Sequence, residues 1–292
     1  MQDFSNRDGK IWFNGELVDW RDANIHMLSH GLHYASSVFE GLRAYGGKPF
    51  ELTRHSERLC KSAEALRFKI PYTVEELNKA VYEVMEANGL KDCYIRPTAW
   101  LGSEKMGVLP TGNKVNVAIA VWDDWIKYYS EELYENGAKL CISSWKRPPA
   151  DAAPVHSKAA GLYMICSMGR VEADDRGYND GLMLDIKGNV AEVTAGNVFF
   201  VFNGELHTPI PDCFLNGITR QTIMRLAEEE GIKVVERRIK PEELGDATEG
   251  FITGSAAEIV PIAGIEEDIK YTVVGDITKL LTEKYKKLVR GE

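Results

Sequence analysis

Residues 73–89 carry a helix signature that is complete at both ends, and further on the chain changes to the two-residue alternation of a strand. Thr73 and Glu76 have the spacing of a capping box. Leu77, Ala80, Val81, Val84 and Met85 share one apolar face, and Gly89 supplies the stop. By contrast, Val115, Val117, Ile119 and Val121 alternate with residues meant for the other face of a sheet. A chain that uses both periods must bury helix stripes against sheet faces, which points to an α+β fold.

Other segments repeat the theme. Ile11-Trp12-Phe13 runs into Asn14-Gly15, a favoured two-residue hairpin turn. Residues 54–68 form a weaker helical pattern around Leu59, Ala63 and Leu66, and 94–101 reads as a strand. The polar, aromatic stretch 123–135 is expected to connect two domains. Residues 1–122 would then form a small N-terminal α/β domain and 136–292 a larger C-terminal domain. The second half is richer in strands, at 140–145, 182–186, 190–193, 198–202, 206–208, 233–239, 250–253 and 258–262. Helices are expected over 158–174, 219–230 and 277–288, with Gly231 ending the second.

The formal net charge of −9 argues against a surface for nucleic acid, which needs a basic stripe. Any anion must be held locally, by a few placed donors. None of the five cysteines forms a C-x-x-C pair, and an odd, scattered set suits a reducing compartment. The polar stretch 1–10 lacks the apolar core of a signal peptide, and no run has the length of a membrane span. A cytoplasmic protein is expected.

Several residues could carry chemistry. Lys158 stands among Ser157, Ala159, Ala160 and Gly161, at the expected start of a helix, where small neighbours leave room for a planar ligand. Schiff-base chemistry needs such an amine with a lowered pKa; the plain alternative is a solvated lysine. Gly217-Ile218-Thr219 opens a helix that Thr219 could cap, and free N–H groups there suit a phosphate. The small-residue turn Gly254-Ser255-Ala256-Ala257 also lets backbone approach a ligand, though taken alone a simple bend is the better explanation. Glu192, between apolar neighbours near a strand end, could meet a protonated ring nitrogen or face water on an edge. Arg58, beside Leu59, could be a surface arginine. Tyr94 and Arg96 point to one side of their strand, an arrangement suited to carboxylates. His26, His30 and His33 lack an acidic partner, so no metal site is expected.

Each signal alone is weak, but their order is specific. The stretches 33–41 (His-Tyr-Ala-Ser-Ser-Val-Phe-Glu-Gly), Tyr94-Ile95-Arg96-Pro97, Ser157-Lys158-Ala159-Ala160-Gly161, Gly217-Ile218-Thr219-Arg220 and Gly254-Ser255-Ala256-Ala257-Glu258 follow one another. In this order the chain resembles the branched-chain amino acid aminotransferases of the class IV, fold type IV, pyridoxal-phosphate family. The likeness extends from Ile11 to Ile262.

The resemblance implies two domains, the larger with a β-barrel-like core, and pyridoxal 5'-phosphate as cofactor. It implies transamination of L-leucine, L-isoleucine and L-valine with 2-oxoglutarate. Lys158 matches the lysine that carries the cofactor and shuttles the substrate proton. Glu192 matches the partner of the ring nitrogen, and Tyr163 that of the phenolic oxygen. Arg58, Leu215, Gly217, Ile218, Thr219 and Ser255 match the phosphate end. Tyr94, Ser255 and Ala256 match the groups around the α-carboxylate, and Arg96 the residue that takes the side-chain carboxylate of glutamate. Tyr34, Phe39, Trp125 and Tyr128 resemble an aromatic wall around a branched side chain. The family also implies a homodimer, or an assembly of dimers, in which the loop 102–110 with Val108 completes the partner's site.

There are departures. Many relatives have Thr at Ser255, proline is common in some at Asn216, and the Gly-Asn pair that follows the lysine in some is replaced after Lys158 by Ala159-Ala160-Gly161. Sister activities share the scaffold: D-amino acid transaminase, (R)-amine transaminase and aminodeoxychorismate lyase. Tyr94 with Arg96 and the stretch 38–41 favour the branched-chain enzyme over them. A silent binding protein on this scaffold would have lost Lys158, Glu192, Arg58 or Thr219, and all four remain.

Overall fold

The structure, a computed structural model, describes residues 3–123 and 129–292. Its contacts divide it into two compact units: residues up to 123 together with Ser157–Leu162, and residues 129–156 together with Tyr163–Glu292. The fold is α+β, as the two periodicities require. Among the described residues, no helix is long and apolar enough to cross a membrane.

The first unit is built on a seven-stranded sheet. Its strands are β1 (Lys10–Phe13), β2 (Glu16–Asp19), β3 (Ser37–Phe39), β4 (Leu42–Tyr45), β5 (Lys48–Pro49), β6 (Cys93–Leu101) and β7 (Val115–Trp122). They run in the order β2-β1-β7-β6-β4-β5, with β3 also paired to β6. A short helix α1 (His30–Tyr34) precedes β3, and α2 (Leu52–Ala65) and α3 (Val74–Ala87) follow β5. The apolar face read for α3 is buried, and it packs with Leu59 and Ala63 of α2 against Ile95, Val117 and Ile119 of the sheet. Both bonds of the capping box form: Thr73 N–H donates to Glu76 at 2.7 Å, and Glu76 N–H to Thr73 Oγ1 at 3.2 Å. Such a cap is worth about 1 kcal/mol.

Ser157–Leu162 belongs to this unit because its backbone is used there. Phe39 N–H donates to Lys158 O at 3.1 Å, Val38 bridges Ala159, and Lys158 N–H donates to Ser62 Oγ at 2.9 Å. Groups spent on β3 and α2 cannot join a helix ladder. Lys158 therefore does not start a helix, contrary to the pattern of 158–174: a 3-10 turn spans Ala160–Leu162, and the helix proper, α5, runs Tyr163–Asp175.

The second unit holds a nine-stranded, curled half-barrel sheet. After a short helix α4 (Glu131–Asn136) come β8 (Ala138–Arg147), β9 (Asp180–Asp185), β10 (Val190–Val193), β11 (Asn197–Phe202) and β12 (Glu205–Pro209). Helix α6 (Ile218–Glu229) precedes β13 (Val234–Arg237), β14 (Glu249–Gly254), β15 (Glu258–Ile265), β16 (Ile269–Lys270) and α7 (Asp276–Arg290). The order is β10-β9-β8-β15-β14-β11-β12-β13, with β16 beside β15. Leu140, Leu182, Val193, Phe200, Ile252 and Val260 form its dry core. Thr219, the expected cap of α6, does not cap it. Gly217 is the cap residue, in extended backbone, and no side chain caps the helix.

Candidate active site

In the first unit, Lys158 is half-buried, with Nζ 5.1 Å from the Phe39 ring centroid. Beneath this strand lies Glu40, whose side chain is fully buried. Arg58, from the first turns of α2, grips it with two bonds, Nε to Oε1 at 2.6 Å and Nη2 to Oε2 at 2.8 Å. His55, one turn earlier on α2, meets the same carboxylate through Nδ1 at 2.7 Å. A carboxylate only accepts, so Nδ1 carries the proton. Burial works against ionising Glu40, but Arg58 and then His55 outweigh it and hold the carboxyl far below its usual range. Burial, helped by Arg58 and Lys158, keeps His55 below an ordinary histidine despite that carboxylate.

Burial, and next the Arg58 guanidinium, also hold the Lys158 amine below an ordinary lysine, with Glu40 and Tyr94 pulling the other way. A lowered amine pKa makes the neutral, nucleophilic form available nearer neutrality. Acylation of Lys158 is therefore expected to titrate below the ordinary lysine value of 10.5. Peptide-mapped labelling across a pH series checks this, and a midpoint at the ordinary value would contradict it.

Tyr94 and Arg96 do share one face of β6. Arg96 Nη2 donates to Tyr94 Oη at 3.0 Å, and the guanidinium lies 4.9 Å from the Phe39 ring centroid and 5.2 Å from that of Tyr94. Arg96 Nε is buried without a hydrogen-bond partner among the described residues. A planar cation walled by aromatic rings, with a donor left over, can accept either an apolar group or a carboxylate. Gly41 makes the arrangement possible: a Cβ there would collide with the Tyr94 hydroxyl.

In the second unit, Glu192 lies on β10, an end strand of its sheet, yet it is buried. Arg147, at the end of β8, places Nε 3.3 Å from Glu192 Oε1, and Asn197 Nδ2 donates to Oε2 at 3.2 Å. Burial would lower the Arg147 pKa, but Glu192 and then Cys166 more than compensate and raise it. Leu215 gives its carbonyl to Asn197 at 3.2 Å, just before Gly217. Ile218 and Thr219 are buried in the first turn of α6, where backbone N–H groups have no partner within the helix. Ser255 and Ala256 form a half-buried turn after β14, and Tyr163 opens α5.

Of the remaining expected residues, Phe39 lies beside Lys158 and Arg96, while Tyr34 on α1 is 41% exposed and Val108 is 80% exposed. Trp125 and Tyr128 lie outside the described residues. Four buried polar residues escape the sequence reading: Glu40, His55, Arg147 and Asn197. Glu40 and Asn197 sit beside apolar or small residues, a weak local signal, but His55 follows Arg54 and Arg147 follows Lys146, so nothing local marked those two as buried.

The family model for amino-transferase class IV matches residues 37–265. The chain belongs to the class IV aminotransferases. Among other members, a probable branched-chain-amino-acid aminotransferase of Rickettsia bellii is 44% identical over 283 residues, covering 96% of each chain. The crystal structure of the Escherichia coli branched-chain amino acid aminotransferase superposes with a TM-score of 0.94 at 38% identity, covering 98% of this chain and 96% of that one. The branched-chain amino acid aminotransferase from Thermobaculum terrenum, in its PLP-bound holo-form, gives 0.88 at 32% identity, covering 97% and 94%.

That relative's cofactor is pyridoxal 5'-phosphate. The residues present fit it on their own chemistry. There is an amine with a lowered pKa, a buried carboxylate paired with an arginine, and a helix N-terminus with no side-chain cap. At that N-terminus even a Cβ on Gly217 would collide with Asn197.

Proposed function

We propose that this class IV aminotransferase moves the amino group of L-leucine, L-isoleucine and L-valine to 2-oxoglutarate, giving branched 2-oxo acids and L-glutamate. The observation that carries this reading is the Tyr94–Arg96 pair among aromatic rings, with a buried Nε still to be satisfied. Such a pocket suits a branched side chain and also the second carboxylate of glutamate.

Bound pyridoxal phosphate supplies an electron sink for the pair left behind when the substrate Cα loses its proton. Lys158 would hold the cofactor, and its Nζ would serve as the base that takes the Cα proton and gives it back. Glu192 keeps its negative charge for the ring nitrogen, and Tyr163 donates to the phenolic oxygen. Arg58, the Leu215–Thr219 turn and Ser255 hold the phosphate, using one cation, helix N–H groups and a hydroxyl. Tyr94 with the N–H groups of Ser255 and Ala256 binds the α-carboxylate, and Arg96 the side-chain carboxylate of glutamate. Tyr34 and Phe39 stand on the side-chain pocket. We also propose a cytoplasmic homodimer in which the loop 102–110 of one subunit completes the other's site. The exposure of Met106, Val108 and Leu109 on that loop supports it.

The test is half-reaction spectroscopy. L-Leucine should remove the visible band of the loaded enzyme, and 2-oxoglutarate should restore it. In Arg96→Ala the leucine step should change little, while the return with 2-oxoglutarate slows by about 10- to 100-fold, the value of a charged hydrogen-bond pair. Bleaching by D-alanine or a chiral amine but not by L-leucine would move the substrate to a sister activity. Equal losses on both steps would remove the role of Arg96.

A further inference from the structure

Glu192 and Asn197 stand on either side of a tight turn closed by Val193 N–H donating to Gly196 O at 2.9 Å. Asn197 begins β11, where it pairs with Thr253 of β14, so its backbone is fixed by the sheet. Its side chain is 5% exposed, and its amide is used in three directions. Nδ2 donates to Glu192 Oε2 and to Leu215 O, each at 3.2 Å. Oδ1 accepts from Gly217 N–H, also at 3.2 Å. Gly217 is the cap residue of α6, and a Cβ at that position would strike Oδ1. From the other side, the buried Arg220 braces the same turn through Asn216 Oδ1 at 2.9 Å and Thr208 Oγ1 at 3.2 Å.

We infer that Asn197 is a positioning residue: its one side-chain amide ties the Glu192 carboxylate to the N-terminus of α6. The inference rests on the reading above, in which Glu192 serves the ring nitrogen and the α6 turn the phosphate. A rigid cofactor with a cation-forming nitrogen and a dianionic phosphate needs those two features at a set separation. A carboxamide suits this, since its two N–H donors reach the carboxylate and Leu215 O while its oxygen accepts from an N–H. Aspartate would keep the acceptor and lose the donors, placing a second negative charge against Glu192. Alanine would leave Glu192, Leu215 O and Gly217 N–H each short of a partner.

The experiment compares equilibrium binding of pyridoxal phosphate and of pyridoxal, which lacks the phosphate, to the full-length apoprotein. Wild type should prefer the phosphorylated form strongly. In Asn197→Ala that preference should fall by at least about 10-fold. In Asn197→Asp it should stay within about 3-fold, since the acceptor for Gly217 survives. With ring-15N-labelled pyridoxal phosphate, the nitrogen signal of Asn197→Asp should shift toward neutral pyridine, because a second carboxylate raises the Glu192 pKa. A merely structural asparagine would lower melting temperature and both affinities alike, leaving the ratio and the nitrogen signal unchanged. That result overturns the inference while the reading stands. If Asn197→Ala does not fold, Asn197→Asp decides alone: an unshifted nitrogen signal overturns the inference. Wild type that takes up no pyridoxal phosphate overturns the reading, and the inference with it.

Discussion

Lys158→Ala is expected to lower kcat/KM for L-leucine by about 10³-fold or more, since proton transfer by a positioned base is worth about 10² to 10⁴ on its own. The variant should also fail to fix pyridoxal phosphate covalently on borohydride reduction, which mass spectrometry of the intact chain would register. The reason lies in local charge. The amine is held below its ordinary pKa by burial and by Arg58, while Arg58 itself is occupied by Glu40. Its neighbouring cations, Arg58 and Arg96, carry guanidinium groups rather than a primary amine. Added small amines should restore part of the turnover, because the missing function is a free base. Undiminished turnover together with retained covalent fixation in the variant would show that Lys158 had been assigned wrongly.

Glu192→Ala should separate chemistry from stability. The carboxylate is the counter-charge of Arg147, whose side chain is 4% exposed. Removing one partner of a buried pair costs about 3–5 kcal/mol, because the other charge is left uncompensated. At about 2–4 °C per kcal/mol, the apoprotein should melt roughly 6–20 °C lower. Replacing Arg147 by leucine in the same chain should recover much of that loss, since an apolar pair of similar volume is tolerated in such places. Turnover should not recover, because nothing then keeps the ring nitrogen protonated. Calorimetry of the three apoproteins and a leucine assay of the holoenzymes make the comparison. A double variant no more stable than Glu192→Ala would mean that the ion pair does not matter to the fold.

How far the residues spoke for themselves differed along the chain. Helix α3 was legible to its caps, because a capping box and a 3.6-residue stripe are local and mutually consistent. The hairpin at Asn14-Gly15 was legible for the same reason, the asparagine adopting positive φ with a glycine after it. The segment 30–49 was not. Its pieces are two to five residues long, and His30 and His33 lie on the short helix α1. Elements so short carry no periodicity, and tertiary contacts such as His30 Nε2 with Gly107 O at 2.9 Å hold them.

By itself the sequence determined the α+β class, the order of the longer helices and strands, and the types of chemistry available, because patterning and motif order are local properties. The tertiary structure alone decided how those groups are held. It took Lys158 out of the expected helix by spending its backbone on β3 and α2, and it made Gly217 rather than Thr219 the cap of α6. It also joined Arg58 to Glu40, Arg147 to Glu192, and Asn197 to Gly217. The physical reason is the same in each case. A buried charge or amide must find a partner wherever the fold brings one, and the partner's distance along the chain leaves no mark in any local pattern.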